Sequence, residues 1–294
     1  MNNINPPKPY IHFSIPKSMT LIIGMKYKDG VILIGDRKVV EGAKFRWEDK
    51  IFTPFTDLDS TYIKDTGFTK NIAIAGSGWT DLIHQFAERI SGLARGRIED
   101  CKNLNRKDLL VAGINPEDVA KGIIKRNPQY QYKMFQGTFI GFMDDCATNV
   151  KQLIEQIQGY LGKYNQDNLA IMVGAYTDKP FLATAMFSGF IQEHIKGYAS
   201  IGSGTTYAQH FLDINYKENM SLEECIKLAV FAIKYCEKFQ LGENGIGLKE
   251  GTLPQIVTIT KDGCTEIKLD ATQIKKYLDE AGKKINSIET HLKI

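Results

Sequence analysis

The sequence of 294 residues lacks the features that most often mark a metal site or a disulfide framework. Its 5 cysteines are widely spaced and include no Cys-x-x-Cys pair, and its 5 histidines show no His-x-x-x-His spacing. The same scatter of histidines gives no support for a Ser-His-Asp arrangement. We therefore expect reduced thiols in a cytoplasmic protein that holds no metal ion and no cofactor.

Charge of one sign and long apolar runs are also missing. The 37 Lys and Arg residues against 34 Asp and Glu residues give a formal net charge of +3, which is too small to indicate a nucleic-acid partner. No apolar run approaches the ~18 residues that a membrane span needs, and residues 1–18 have no apolar core of the kind found in secretory signals. The sequence thus predicts a protein without nucleic-acid or membrane partners.

The composition is that of a globular protein with a substantial core, since 43% of the residues are apolar and 24% are charged. Four prolines within residues 1–16 precede a strongly apolar segment, which favours an unfolded leader over residues 1–19. No linker divides the remainder. We expect one domain over residues 20–270, with an insertion at about 95–143 and a C-terminal tail over 271–294.

Hydrophobic patterning groups the strands and helices in separate blocks. Two β-rich runs flank a turn at Lys28-Asp29-Gly30, which indicates a hairpin. Along the chain the order is strands, helices, strands, helices, strands. This order favours an α+β fold in which sheets pack on each other with helices outside, and disfavours a parallel βαβ sheet.

Further elements follow from periodicity and turn residues. Runs at residues 169–176, 181–187 and 194–201 predict three strands, and a capping box at Ser221 and Glu224 opens a late helix. An earlier helix is expected to bury one apolar face, formed by Leu82, Ile83, Phe86, Ile90 and Leu93.

The segment from Thr20 to Arg37, TLIIGMKYKDGVILIGDR, resembles the opening of proteasome β-type subunits, which are N-terminal nucleophile (Ntn) hydrolases. The resemblance continues, in the family's order, through most of residues 20–263. It implies a four-layer αββα sandwich of two antiparallel sheets between helix layers. Its further motifs are Lys50-Ile-Phe, Ile74-Ala-Gly76, Tyr198-Ala-Ser-Ile-Gly-Ser203-Gly204, Asn219-Met-Ser-Leu-Glu-Glu and Ile256-Val-Thr-Ile-Thr-Lys-Asp-Gly.

The resemblance implies roles for a small set of residues. Thr20 matches the N-terminal threonine whose hydroxyl is the nucleophile and whose α-amine, with a pKa of ~7.7 to 8.0, is its base. Asp36 and Lys50 match the buried acid and lysine beside it, where the ammonium lowers the pKa of the amine. Ser203 matches the serine that supports the amine, and Gly76 matches the glycine whose N–H faces the oxyanion.

Two more positions, Ile74 and Gly78, match residues that line the pocket for the substrate side chain before the scissile bond. An apolar wall with a glycine opposite would favour apolar side chains. Each site residue also has an ordinary explanation: Thr20 fits a strand, Lys50 fits a solvated surface lysine, and the serine between glycines at 203 fits a helix N-cap. The prediction of a site therefore depends on the occurrence of all these residues in the family's order.

Two positions depart from the family's pattern. Met19 stands where the family has a glycine before the threonine, so we expect translation to begin at Met19 and methionine removal to expose Thr20, with a cleaved leader as the alternative. Residues 238–241, Lys-Phe-Gln-Leu, stand where the family has an aspartate and a serine that brace the nucleophile.

The resemblance implies a threonine-type peptidase that acts on peptides or unfolded proteins as a homo-oligomer or with ring partner subunits. Two alternatives remain. The chain could be a catalytically silent ring or scaffold protein, or a transamidase that uses the same nucleophile with an amine acceptor in place of water.

Overall fold

The computed structural model describes residues 20–41, 44–56, 69, 71–78, 80–103, 139–161, 169–185, 191–239 and 253–292. The predicted leader, residues 104–138 of the predicted insertion and residues 240–241 lie outside these ranges. The described strands are β1 (Leu21–Tyr27), β2 (Gly30–Gly35), β3 (Lys38–Glu41), β4 (Lys44–Trp47), β5 (Ile51–Phe52), β6 (Ile72–Gly78), β7 (Leu169–Tyr176), β8 (Pro180–Ala185), β9 (Ile191–Glu193), β10 (Tyr198–Gly202), β11 (Gln255–Thr260) and β12 (Gly263–Glu266).

These strands form two five-stranded sheets and one short hairpin. Sheet 1 has the order β10-β1-β2-β11-β12, and sheet 2 has the order β5-β6-β7-β8-β9, with every neighbouring pair antiparallel. β3 and β4 pair only with each other. The hairpin predicted around Lys28 and Asp29 is confirmed as the β1–β2 pair.

Helices cover the outer face of each sheet. They are α1 (Thr80–Asn103), α2 (Phe139–Leu161), α3 (Thr205–Asn215), α4 (Leu222–Phe239) and α5 (Ala271–Leu292). One apolar cluster lies between sheet 2 and the pair α1 and α2, a second lies between sheet 1 and α3, α4 and α5, and a third lies between the sheets. This arrangement is the αββα sandwich that the resemblance implies.

The structure differs from the sequence predictions in several elements. The strand predicted at 194–201 is shorter in the structure, because residues 194–197 form a turn that includes Gly197 at φ +86° and β10 begins only at Tyr198. Leu93, predicted on the buried face of α1, is 41% exposed. The ends of the predicted insertion belong to α1 and α2, and α5 buries Ile274 and Tyr277 in the cluster on sheet 1, so these segments are parts of the helix layers.

Candidate active site

The register of the first hairpin brings Thr20 and Asp36 together, although they are far apart along the chain. β1 and β2 pair Ile22 with Gly35. The next residues along the two strands, Leu21 and Asp36, therefore also lie opposite each other. The Leu21 N–H donates to Oδ1 of Asp36 at 2.9 Å, and the Asp36 N–H donates to the Leu21 carbonyl at 3.2 Å. The carboxylate is thereby fixed one residue from Thr20 with no exposed surface.

Ser203 reaches Thr20 from the other neighbour of β1. β1 pairs Leu21 with Gly202 of β10, which places the next residue, Ser203, beside Thr20. The Thr20 N–H donates to Oγ of Ser203 at 3.2 Å, and the Ser203 hydroxyl donates to the Thr20 carbonyl at 3.5 Å. Gly202 has φ +106°, and a Cβ there would lie 2.0 Å from the Thr20 carbonyl oxygen, so this close approach requires glycine.

Lys50 comes from the opposite sheet, from the residue just before β5. Its Nζ donates to Oγ1 of Thr20 at 3.1 Å and to Oδ1 of Asp36 at 3.1 Å. The Lys50 side chain is 4% exposed. Burial lowers the pKa of Lys50 from its ordinary value of 10.5, and the negative charge of Asp36 opposes this shift without cancelling it. The result is one ammonium group that touches both a carboxylate and a threonine hydroxyl.

Gly76 lies on β6 beside Lys50. Its N–H makes a backbone hydrogen bond, and its lack of a side chain leaves room for α1. The Gly76 N–H donates to the Lys50 carbonyl at 3.0 Å. A Cβ at residue 76 would lie 2.3 Å from Cγ2 of Ile83 in α1, so the packing of α1 on sheet 2 also requires glycine. The N–H that the resemblance assigns to an oxyanion is thus already donated to a carbonyl oxygen in this structure.

The two residues predicted to line a substrate pocket occupy different surroundings. Ile74 is 1% exposed and packs in the apolar cluster beneath α1 and α2. Gly78 ends β6 in a half-buried position at φ +123°. Ile74 presents no open wall in the single chain, and the pocket stays a prediction.

Sequence reasoning missed Gln255, the first residue of β11. Its side chain is 4% exposed and hydrogen-bonds to the backbone of Lys50 and Ile51. The signal was an amide on the same strand face as Val257 and Ile259 in QIVTIT, at a position that becomes buried. Only the packing of sheet 1 on sheet 2 reveals its partners.

Three cysteine thiols of the described residues are poorly suited to react as nucleophiles. Burial raises the pKa of the Cys225, Cys236 and Cys264 thiols to about 12, so they are protonated near neutral pH. Within the ranges described, no group of three or more His, Cys, Asp or Glu side chains is arranged to hold a metal ion. Nor does any helix in those ranges have the length and apolar character to cross a membrane.

Comparison with known proteins finds similarity to proteasome subunits. Residues 140–249 match the family model described as "Proteasome subunit". Proteasome subunit beta 2 of Pyrococcus furiosus is 40% identical over 107 residues, which are 36% of this chain and 47% of that protein. Proteasome subunit beta 2 of Thermococcus gammatolerans is 37% identical over 99 residues, which are 33% of this chain and 44% of that protein.

A proteasome subunit alpha, from Pyrococcus horikoshii, also matches, at 29% identity over 147 residues that cover 49% of this chain and 52% of that protein. The chain spans about half the length of these curated relatives. The family model includes Ser203 but not Thr20, Asp36 or Lys50. The match to the family model therefore bears on the fold family and on Ser203, and not on the rest of the group around Thr20.

Proposed function

We propose, from the premise that this chain is a proteasome beta-type protein with the Ntn hydrolase fold, that it is a threonine-type amide-bond hydrolase. The observation that carries the proposal is the buried contact of Lys50 Nζ with Thr20 Oγ1 and Asp36 Oδ1, at 3.1 Å each. Nζ so placed favours a negatively charged oxygen at Oγ1, which is what a threonine nucleophile needs.

The proposed reaction needs Thr20 as the terminal residue. Its α-amine then takes the hydroxyl proton, because an α-amine has a pKa of ~7.7 to 8.0, whereas an amide nitrogen cannot accept a proton at working pH. Oγ1 bonds to the carbonyl carbon of the substrate and the amide C–N bond breaks, which leaves an ester on Thr20, while the departing amine takes the proton from the protonated α-amine. Water then hydrolyses the ester, which frees Oγ1 and releases the carboxylic acid.

The neighbouring residues supply charge and orientation in this scheme. The Lys50 ammonium lowers the pKa of the α-amine and keeps it neutral and basic near neutral pH. Asp36 holds Lys50, and Ser203 Oγ, 3.2 Å from the Thr20 nitrogen, orients that nitrogen. For the Gly76 N–H to bind the oxyanion, it must be shared with the Lys50 carbonyl or released from it.

Exposure of Thr20 is the first requirement and can be tested directly. N-terminal sequencing of protein produced from its native gene should find Thr20 as the first residue, after removal of either a methionine or a leader. Mature protein that retains residues before Thr20 would contradict the proposal, because the nitrogen would still be part of a peptide bond.

The nucleophile is tested with a peptide epoxyketone, which needs both the hydroxyl and the free amine of a terminal threonine. Protein with Thr20 as its sequenced N-terminus should gain the mass of one inhibitor molecule, mapped to Thr20, and should cleave reporter peptides. The Thr20→Ala protein should do neither. Wild-type protein with a free Thr20 that forms no adduct would overturn the hydrolase proposal.

A second candidate function is a silent subunit, and the alignment with a proteasome subunit alpha favours keeping it. Under either function we propose assembly with copies of the chain or with ring partner subunits, and under the first we propose peptides or unfolded proteins as substrates. Stable assembly together with a free but unreactive Thr20 would favour the silent subunit.

A further inference from the structure

Gln255 places a buried amide on a face of β11 that otherwise carries apolar side chains. Val257 and Ile259 are the next residues on the same face of β11, and both belong to the apolar cluster between the sheets. A buried amide is unfavourable unless its polar atoms are hydrogen-bonded. The partners of Gln255 therefore indicate why a polar side chain occupies this position.

The Gln255 carboxamide pairs with the edge of sheet 2. Oε1 accepts the Lys50 N–H at 2.8 Å and the Ile51 N–H at 2.9 Å, and Nε2 donates to the Ile51 carbonyl at 2.9 Å. Among the residues that the structure describes, β5 is the outer strand of sheet 2, and no described strand pairs with the Ile51 groups that face away from β6. The side chain supplies the donor and acceptor that a neighbouring strand would have supplied.

The backbone of Gln255 is tied to the strand that delivers Asp36. β11 and β2 pair Gln255 with Gly35, the residue before Asp36. One residue thus holds the backbone leading to Asp36 by strand pairing and the backbone of Lys50 by its side chain. Lys50 and Asp36 come from different sheets. The distance between the sheets at this point therefore determines whether Lys50 Nζ can come within hydrogen-bond distance of Asp36.

A second link between the segment that follows β2 and the segment that precedes β5 lies at the surface. Arg37 contacts Asp49 at 3.3 Å and Glu266 of β12 at 2.6 Å, but these three side chains are 32%, 56% and 37% exposed. Exposed ion pairs contribute little to stability, because water and salt screen the charges. The buried amide is the stronger constraint on where Lys50 lies.

We propose that Gln255 is a positioning residue, which fixes the backbone of Lys50 so that Nζ reaches Thr20 Oγ1 and Asp36 Oδ1 together. This inference rests on the proposed function of Thr20 as a nucleophile. It adds a residue outside the group of side chains that touch the reacting atoms. Gln255 acts by holding the lysine in reach, since its described side-chain hydrogen bonds go to the backbone of Lys50 and Ile51.

The test compares wild type with Gln255→Met, a side chain of similar length that has no amide. Both proteins carry Thr20 as their sequenced N-terminus, and the rate of epoxyketone adduct formation on Thr20 is measured. We expect the variant to react about ten- to a hundredfold more slowly, since small misplacements at a reacting centre have effects of up to ~100-fold. An unchanged rate in folded Gln255→Met protein would refute the positioning role.

Thr258→Val is the matched control. Thr258 lies on the same strand, is 6% exposed and donates its hydroxyl to the Thr265 carbonyl, so the substitution removes a buried hydrogen bond from β11 without touching Lys50. It should react at the wild-type rate. An equal loss in Thr258→Val would mean that general damage to β11, and not the position of Lys50, slows the reaction.

A readout independent of activity separates this inference from the proposed function. NMR titration of labelled lysines, with the Lys50 signal assigned from a Lys50→Met sample, should show the Lys50 pKa below 10.5 in wild type and closer to 10.5 in Gln255→Met. If wild type with a free Thr20 forms no adduct, the hydrolase proposal fails while the titration still tests the positioning role. Identical titrations would contradict positioning.

Gln255→Asn serves if Gln255→Met does not fold, because it keeps a polar amide on β11 but is one methylene shorter and cannot hold the Lys50 and Ile51 backbone at the same distances. The rate of adduct formation on Thr20 should fall by about tenfold. A rate equal to that of wild type in folded Gln255→Asn protein would count against the inference.

Discussion

Lys50 is buried at an energetic cost that its partner offsets only in part. Its pKa is lowered because the loss of water outweighs the attraction of Asp36. Buried ion pairs of this kind are weak evidence for stability, since apolar side chains of similar volume often serve a fold as well or better. A shifted titratable group in contact with a hydroxyl is better evidence for chemistry.

The lowered pKa of Lys50 predicts how the reaction of Thr20 depends on pH. Adduct formation should rise with pH as the Thr20 α-amine loses its proton, and fall again as the Lys50 ammonium loses its proton. Because burial lowers the pKa of Lys50, the alkaline limb should lie below 10.5, the ordinary value for lysine. The rate of adduct formation, measured from pH 5 to about 11, checks both limbs.

Lys26 provides the control for this profile. Burial also lowers its pKa, but its Nζ lies 3.8 Å from Glu193 and contacts none of the residues around Thr20. The alkaline limb should persist in Lys26→Met protein. Loss of that limb in Lys26→Met, or a wild-type limb at or above 10.5, would show that the limb does not report Lys50.

At the scale of elements, strand ends assemble the group around Thr20. β1 begins just after Thr20, β2 ends just before Asp36, and β10 ends just before Ser203. Three neighbouring strands of sheet 1 therefore place these three residues together at their ends. Lys50 precedes β5 of sheet 2, and its Nζ reaches Thr20 at these strand ends. The register of β1 with β2 and β10 is therefore as important as the residues themselves.

Gly202 tests this dependence on strand register. In Gly202→Ala the new Cβ would lie 2.0 Å from the Thr20 carbonyl oxygen and 2.7 Å from its carbon, at a φ of +106° that alanine rarely adopts. Because those neighbours are backbone atoms, either Thr20 or the end of β10 must move. We expect the rate of adduct formation to fall by about 100-fold, and chemical denaturation to show a loss of about 1–3 kcal/mol.

Gly263→Ala separates the clash from the backbone strain. Gly263 also has a positive φ, +146°, but a Cβ there would meet no heavy atom within 4 Å. This variant should lose some stability and react at the wild-type rate per folded molecule. Equal losses of reactivity in the two alanine variants would mean that the approach of β10 to Thr20 does not matter for reaction.

At the scale of the whole molecule, the two-sheet sandwich was predicted from the sequence, together with those turns and caps that have a local signal. Features that depend on contacts between distant segments were not predicted. The β1–β2 turn and the Ser221 capping box are local signals, and both are present; Ser221 N–H donates to Glu224 at 2.7 Å. The turn at residues 194–197 was missed, because its one local signal is a single glycine, Gly197 at φ +86°, beside a run of strand composition. Gln255 was missed for a different reason: its partners belong to the other sheet.

The packing of α5 is a further property of the whole molecule that local patterns did not predict. The helical segment after residue 270 was expected as a tail, whereas Ile274 and Tyr277 are 5% and 8% exposed and pack in the cluster shared by sheet 1, α3 and α4. The apolar spacing of three residues is visible in the sequence, but the surface that receives it is formed by distant elements. If α5 is part of this core, its buried side chains should contribute to global stability.

Ile274→Ala should therefore destabilise the protein by about 2–5 kcal/mol, the usual cost of removing a buried isoleucine side chain. The free energy of unfolding is measured by chemical denaturation, with Lys275→Ala as the control, since Lys275 is exposed and surface changes stay within about 0.5 kcal/mol. Adduct formation by the remaining folded molecules should be unchanged, because α5 covers the outer face of sheet 1 and Thr20 lies at the end of β1. Equal stabilities of the two variants would mean that α5 adds nothing to the core, and the predicted tail would then describe it better.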